Sequence, residues 1–277
     1  MTTLSIIVPA HQEAGHIGNC LNALLQQRVP PGHHVELVIV PNGCTDDTAE
    51  IARDWIAAFR KSGWSMRIVE TPTGGKAHAL NLGDDAATGE LRCYLDADIE
   101  VAGGMVEGLF TALDCPGPRY AGARLVVSPA SNNISRIYAR FWQKLPFVAQ
   151  GVTGAGLFAV NAEGRQRWQR FPDLISDDGF VRLNFAPAER KRVEVDYLWP
   201  ISEGLGTLVR VRRRQDAGIR QLRALHPELA ANDTGDRPDR RAIRHLATRD
   251  PIGFLVYSAV ALLVRLGRAP RTWTRGR

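Results

Sequence analysis

The stretch Leu4-Ser5-Ile6-Ile7-Val8-Pro9-Ala10-His11-Gln12-Glu13 decides how the chain is built. A short apolar run, Leu4, Ile6, Ile7 and Val8, stops at a proline, and polar residues follow at once. A run this short and β-branched reads as a buried strand that delivers a loop. Working outward, residues 17–27 carry Ile17, Leu21, Leu24 and Leu25 at helical spacing. Residues 34–40 form a second strand, and 46–60 a second helix with Thr45 as its expected N-cap. Residues 66–70, 76–87 and 91–95 continue as strand, helix and strand. This alternation predicts βαβ units, right-handed crossovers and a parallel sheet. Ligands of such sheets sit beyond the C-terminal strand ends. The loops 9–16, 41–46, 71–76 and 96–100 all follow strands, so they are expected to converge on one cleft.

Past residue 100 the pattern loosens. Residues 104–113 read as a helix, 120–128 as a strand and 136–149 as an aromatic-rich helix, with Phe141 and Trp142 as core. A small-residue turn and a strand occupy 151–161. Residues 172–185 place two adjacent acids ahead of an apolar run, and 192–198 return to strand. A strongly basic helix is expected over 205–225, a polar linker over 231–241, and an uncharged segment over 251–264. This divides the chain into a domain at 1–204, with halves 1–100 and 101–204, and a basic helical region at 205–277.

The 277 residues are 44% hydrophobic and 23% charged, which excludes disordered, collagen-like and coiled-coil chains. The four cysteines show no CxxC pair, so a zinc site or disulfide framework is not expected, and reduced thiols in a cytosolic protein are. The opening residues have no basic segment and read as a strand rather than a signal peptide. Net charge is +6, but residues 205–277 hold 16 Arg, no Lys and 6 acids, or +10, which leaves −4 for 1–204. The acidic part suits a metal or working carboxylates. The basic part suits an anionic surface such as lipid headgroups, or is a plain solvated face. No nucleic-acid-binding pattern is present, and none of the arginines interleave with aromatics.

Asp96-Ala97-Asp98 ends the fourth strand. Two carboxylates at i and i+2 beyond a strand end both reach a cleft, and one or two carboxylates suit Mg2+ or Mn2+ that also holds substrate phosphates. The same two acids also fit a turn with a helix cap. Asp177-Asp178 is likewise either a catalytic pair or an acidic helix start that complements the dipole.

Taken together, Val8-Pro9-Ala10-His11-Gln12-Glu13, Asn42-Gly43-Cys44-Thr45-Asp46-Asp47-Thr48, Gly75-Lys76-Ala77-His78-Ala79-Leu80-Asn81, Asp96-Ala97-Asp98, Gly154-Ala155-Gly156 and Asp177-Asp178 resemble the family 2 glycosyltransferases over about residues 4–185. The resemblance implies an α/β GT-A fold: a Rossmann-like, mainly parallel sheet flanked by helices, here with a basic helical C-terminal extension. It implies that Pro9, Ala10, Glu13, Asn42, Asp46, Lys76, Asp96, Ala97, Gly154 and Arg214 bind a nucleotide sugar. It makes Asp98 the chief metal ligand, with Asp96 beside it and Mn2+ or Mg2+ as cofactor. Asp178, the second acid of its pair, becomes the general base. Two departures stand out: Gln12 where the family often has Asn, and Pro41-Asn42 where it usually has Asp-Asp. Processive relatives end in Gln-x-x-Arg-Trp. Here Val211-Arg212-Arg213-Arg214-Gln215 keeps the Arg alone, which argues for a single-transfer enzyme.

The expected protein is therefore an inverting, metal-dependent hexosyltransferase, cytoplasmic and peripheral on the inner membrane face. It takes a nucleotide-sugar donor and a hydroxyl acceptor, with a lipid-linked acceptor and an anionic membrane surface as expected partners and no nucleic acid. A catalytically inactive GT-A scaffold is the alternative. A nucleotidyltransferase is disfavoured because residues 9–16 lack a Gly-rich, Arg-containing loop, and a dinucleotide-dependent oxidoreductase because they lack GxGxxG. Residues 251–264, as a helix, span about 21 Å at ~1.5 Å per residue. That is short of the ~30 Å hydrocarbon core, which leaves packing, a partner subunit or a membrane interface.

Overall fold

The computed structural model describes residues 2–233 and 240–267. Its centre is one eight-stranded sheet formed by β1 (Thr2–Ala10), β2 (His33–Pro41), β3 (Ser65–Ile68), β4 (Leu91–Leu95), β5 (Glu100–Val101), β6 (Tyr120–Val127), β7 (Leu157–Val160) and β8 (Arg190–Trp199). The strand order is β3-β2-β1-β4-β7-β6-β8-β5. β3, β2, β1 and β4 run parallel, as the alternation predicts. The second half is more mixed than expected: β7 is antiparallel to both β4 and β6, and β5 to β8, while β6 and β8 are parallel. Two reversals cancel, so β6 and β8 point the same way as β4.

β1 and β2 are buried along nearly their whole length, which is why they read as continuous apolar runs. Alternate residues of β1 serve opposite layers. Leu4, Ile6 and Val8 pack with Ile17, Leu21 and Leu24 of the helix Ile17–Leu25. Ile7 packs with Ala79 and Leu80 of the helix Lys76–Ala86. Gly83 lets that helix sit close, since a Cβ there would come within 2.4 Å of Ile7 Cγ2.

Three local expectations are corrected. The helix expected over 46–60 is two, Thr48–Asp54 and Ile56–Lys61, and its N-cap position falls on Asp47 rather than Thr45. Thr45 instead gives its backbone N–H to Gln12 Oε1 at 2.7 Å. The helix expected over 136–149 divides into Asn133–Trp142 and Pro146–Ala149, with Pro146 at the first position of the second. Within 231–241, residues 234–239 lie outside the described residues, and the helix Arg240–Arg249 follows them.

The basic helix Leu205–Leu225 forms with the bounds read from the sequence. The uncharged segment forms the helix Pro251–Leu266, which packs on Asn133–Trp142 and on Leu205–Leu225. Phe141 meets Phe254 and Tyr257, with ring centroids 5.9 and 5.3 Å apart. Phe141 and Trp142 are core residues, as expected.

Asp250 fixes the entry to this last helix. Its buried carboxylate accepts from Arg140 at 2.9 and 2.7 Å and caps the Gly253 N–H at 3.0 Å. The Arg140 bond, with the Gly253 cap, holds the carboxyl below its usual range against the opposite push of burial. Asp250→Ala is expected to cost about 1–2 kcal/mol, mostly the lost cap, because Arg140 is half exposed and its ion pair is screened. A lowered folded-state pKa contributes stability that is present above the unfolded value near ~4 and is lost as pH falls through the folded one. Urea unfolding should therefore show the gap between wild type and variant narrowing as the solution is acidified below that range.

Candidate active site

The four strand-end loops converge, as expected. Pro9, Glu13, Asn42, Lys76, Asp96, Ala97 and Asp98 line one cleft of about 840 Å³. A fifth strand end joins them. Because β8 runs with β4, its C-terminal residues Trp199, Pro200 and Ser202 form part of the same wall. The helix Leu205–Leu225 closes the side with Val211, Arg214 and Gln215.

At the end of β4, Asp96 N–H bonds Gly156 O at 2.8 Å and Ile99 N–H bonds Asp96 O at 3.1 Å. This tight turn buries Ala97 and Ile99 and leaves Asp96 and Asp98 on the cleft side. Lys76 opens its helix after Gly75, whose φ of +140° suits glycine. The Lys76 ammonium lies 2.8 Å from Asp96 Oδ1 and 3.1 Å from Asp177 Oδ2. Burial opposes the ammonium, but Asp177 and Asp96 outweigh it and raise its pKa. Burial pushes the Asp177 carboxyl up to about 6 against the pull of Lys76, with Asp178 and Asp96 adding to the rise. Across the cleft, burial lowers the Arg214 pKa while Asp96, Asp177 and Asp178 oppose the shift. Lys76 and Arg214 are thus two cations held within one field of carboxylates.

The first two loops are clasped together. Gln12 has a left-handed φ of 56°. Its side chain accepts from Thr45 N and donates to Thr45 Oγ1, both at 2.7 Å. That conformation suits Asn or Gly, so the paired side-chain bonds offset its strain. Asn42 is buried, and its amide is used internally: it donates to Ala10 O at 2.9 Å and accepts from Gly75 N at 3.0 Å. His11 lines the cleft and donates through Nδ1 to Asn42 O at 2.6 Å.

Four residues expected in the cleft are placed outside its lining. Ala10 is buried and contributes its carbonyl to Asn42. Asp46 links the loops, accepting from Ala14 N at 3.1 Å and Thr48 Oγ1 at 2.5 Å. Gly154 sits under the wall with φ +72°, where a Cβ would come within 2.0 Å of Tyr120 Oη. Asp178 lies beside the cleft, half-buried, with Oδ1 accepting from Gly179 N at 2.7 Å and Ser176 Oγ at 3.2 Å. Its neighbour Asp177 is in the wall. Arg210, one helical turn before Arg214, is exposed and outside the lining, and so is His78. Trp199 and Gln221 line the cleft without having been singled out. The rule that ligands lie past C-terminal strand ends marks Trp199, once the direction of β8 is known.

A sheet of this order, with paired carboxylates on the turn after β4 and cations facing them, defines a GT-A protein. Solved structures share the fold, two of them as follows. The mannosyltransferase PcManGT from Pyrobaculum calidifontis, in complex with GDP-Man and Mn2+, superposes with a TM-score of 0.57 at 22% identity, over 96% of this chain and 76% of that one. S. aureus TarS 1–349 in complex with UDP-GlcNAc gives 0.53 at 17% identity, over 92% and 72%. In sequence, residues 5–167 match glycosyl transferase family 2, and the chain belongs to that family. Glycosyltransferase AglE of Haloferax volcanii is 34% identical over 95 residues, 34% of this chain and 30% of AglE. The 4,4'-diaponeurosporenoate glycosyltransferase of Staphylococcus aureus is 29% identical over 175 residues, 61% of this chain and 42% of that protein. The chain thus aligns with less than half the length of either relative.

Proposed function

We propose that the chain is an inverting, metal-dependent, non-processive hexosyltransferase that moves a sugar from a nucleoside-diphosphate sugar to an acceptor hydroxyl. The observation that carries this reading is the gathering of Asp96, Asp98, Lys76, Asp177 and Arg214 around one cleft at the strand ends. The complexes of the two structural neighbours with GDP-Man and UDP-GlcNAc support a nucleotide-sugar donor.

The residues present fit a divalent ion. Among the described residues no group of three or more His, Cys, Asp or Glu forms a closed metal cage. Two hard carboxylates, Asp98 and Asp96, face the cleft instead, which is the partial set Mn2+ or Mg2+ accepts when phosphates complete its shell. When bound, the ion supplies positive charge against the diphosphate. Lys76 and Arg214 add cationic partners for the departing nucleoside diphosphate.

Asp178 is the proposed base. It takes the proton of the acceptor hydroxyl as that oxygen bonds to the anomeric carbon, while the bond from that carbon to the diphosphate oxygen breaks. A single displacement inverts the anomeric configuration. Asp177 is buried and committed to Lys76, whereas Asp178 is half exposed and able to pass its proton to solvent. Trp199, Val211 and Gln215 line the remaining wall, a surface for the acceptor. Val211, Arg214 and Gln215 occupy the positions where processive relatives carry Gln, Arg and Trp, and the loss of two of the three supports a single transfer.

The test is a thermal-shift screen of nucleoside diphosphates and nucleotide sugars with and without Mn2+, followed by donor hydrolysis. A ligand at 100 times its Kd adds about 2.7 kcal/mol, or roughly 5–10 °C for a chain of this size. A Mn2+-dependent shift with slow donor hydrolysis is expected. Shifts without hydrolysis or transfer would favour an inactive scaffold.

A further inference from the structure

The helix Pro251–Leu266 turns one face to the protein and leaves the other bare. Gly253, Val260 and Val264 are buried against the two helices beneath. Ile252, Leu255, Leu262 and Leu266 are 61, 66, 57 and 75% exposed. With the exposed Ala259 they recur at i, i+3, i+7, i+10 and i+14, a single stripe. At ~1.5 Å per residue it runs about 21 Å. Large aliphatic side chains lined up in this way are not the scattered exposure common on protein surfaces.

The segment that carries the stripe is cationic. Arg241, Arg244 and Arg249 on the preceding helix and Arg265 on the same helix are all exposed. Residues 240–267 contain one acid, Asp250, and it is buried against Arg140 and Lys144. Whatever covers the stripe therefore meets apolar side chains on a segment that carries exposed arginines and no exposed acid.

We infer that this face docks on an anionic phospholipid bilayer, with the helix lying in the plane of the interface. A second copy of the chain would bring the same arginines opposite one another, and that repulsion disfavours self-association. The surface is also a convex helix face rather than a groove. Its aliphatic side chains suit the acyl boundary, while the arginines reach phosphate headgroups. No helix among the described residues is long and apolar enough to cross a membrane, and 16 residues give only about 24 Å against a ~30 Å hydrocarbon core.

The position has a consequence for the cleft. The helix packs on Leu205–Leu225, which lines the cleft through Val211, Arg214 and Gln215. It also packs on Asn133–Trp142, whose Trp142 ring lies 5.6 Å from Trp199. The helix proposed to face the bilayer thus packs directly on a helix that lines the acceptor wall. If the proposed transfer holds, this arrangement serves an acceptor hydroxyl carried on a lipid. The docking itself rests on no catalytic reading.

The test is co-sedimentation of the full chain with vesicles of phosphatidylcholine alone and of phosphatidylcholine mixed with phosphatidylglycerol, at low and high salt. Binding to the anionic vesicles at low salt is expected, weakened at least about tenfold by high salt. The double variant Leu255→Gln/Leu262→Gln should lose about tenfold or more, while its melting temperature and nucleotide binding match the wild type. Retention of the wild type in the supernatant throughout would overturn the inference. So would a double variant that sediments like wild type, or light scattering that shows a dimer disrupted by the variant without vesicle binding.

Discussion

Asp178→Asn is expected to lower sugar transfer by about 10²–10⁴-fold, the usual worth of a general base, and to leave donor affinity nearly unchanged. Asn keeps the size of the side chain, and its Oδ1 still accepts from Gly179 N and Ser176 Oγ. The helix Asp177–Leu183 should therefore start as before. What disappears is the capacity to hold a proton taken from the acceptor. The matched variant is Asp177→Asn. Asp177 pairs with Lys76 at 3.1 Å, so its neutralisation loosens that ammonium and should act first on donor binding. Steady-state kinetics with calorimetric donor affinities separate the two: a fall in kcat at constant Kd marks the base, and a rise in Kd marks the residue that positions Lys76. If Asp178→Asn turns over near the wild-type rate, the base is Asp177, whose carboxyl is pushed by burial to about 6 and which already stands in the cleft wall.

The parts of this architecture that were legible in the sequence are those where local pattern and tertiary role coincide. β1, β2 and β4 are buried on both faces, so their apolar runs read directly as strands, and the polar residues after each run had to be loops at the same edge. The 205–225 helix carried its own periodicity. Other features depended on long-range geometry. The shift of the cap from Thr45 to Asp47 accompanies the clasp between Gln12 and Thr45, a contact across 33 residues. Asp46 offers a carboxylate and Gly154 a close backbone approach, both suited to a ligand, yet their surroundings use them to join two loops and to make room for Tyr120. Trp199 was missed because its place in the cleft depends on β8 running with β4, and that direction is set by two antiparallel pairings no local pattern records. The segment at 251–264 read only as uncharged, with no face distinguished. Only the packed structure divides it into a seated face and a bare one.

Asp98→Ala is expected to remove the metal-dependent part of nucleotide-sugar affinity altogether. Asp96 and Asp98 are the two hard ligands the β4 turn offers to the cleft, and Asp96 Oδ1 is already engaged by Lys76 at 2.8 Å. Among the described residues no group of His, Cys, Asp or Glu supplies a third. An ion held by so few protein oxygens depends on each of them, since the remaining positions belong to water and phosphate. Loss of an outer-shell partner alone typically costs about 10–100-fold in metal affinity, so loss of a direct ligand should cost about 10²-fold or more. The turn itself should survive, because Ala97 and Ile99 are buried on either side and the Asp96 N–H stays on Gly156 O. Calorimetry of nucleoside diphosphate with Mn2+ and with chelator checks this directly. The variant in Mn2+ should match the wild type in chelator, and its melting temperature without ligand should be close to the wild-type value. Unchanged Mn2+-dependent affinity in the variant would place the ion on other residues and remove Asp98 from the site.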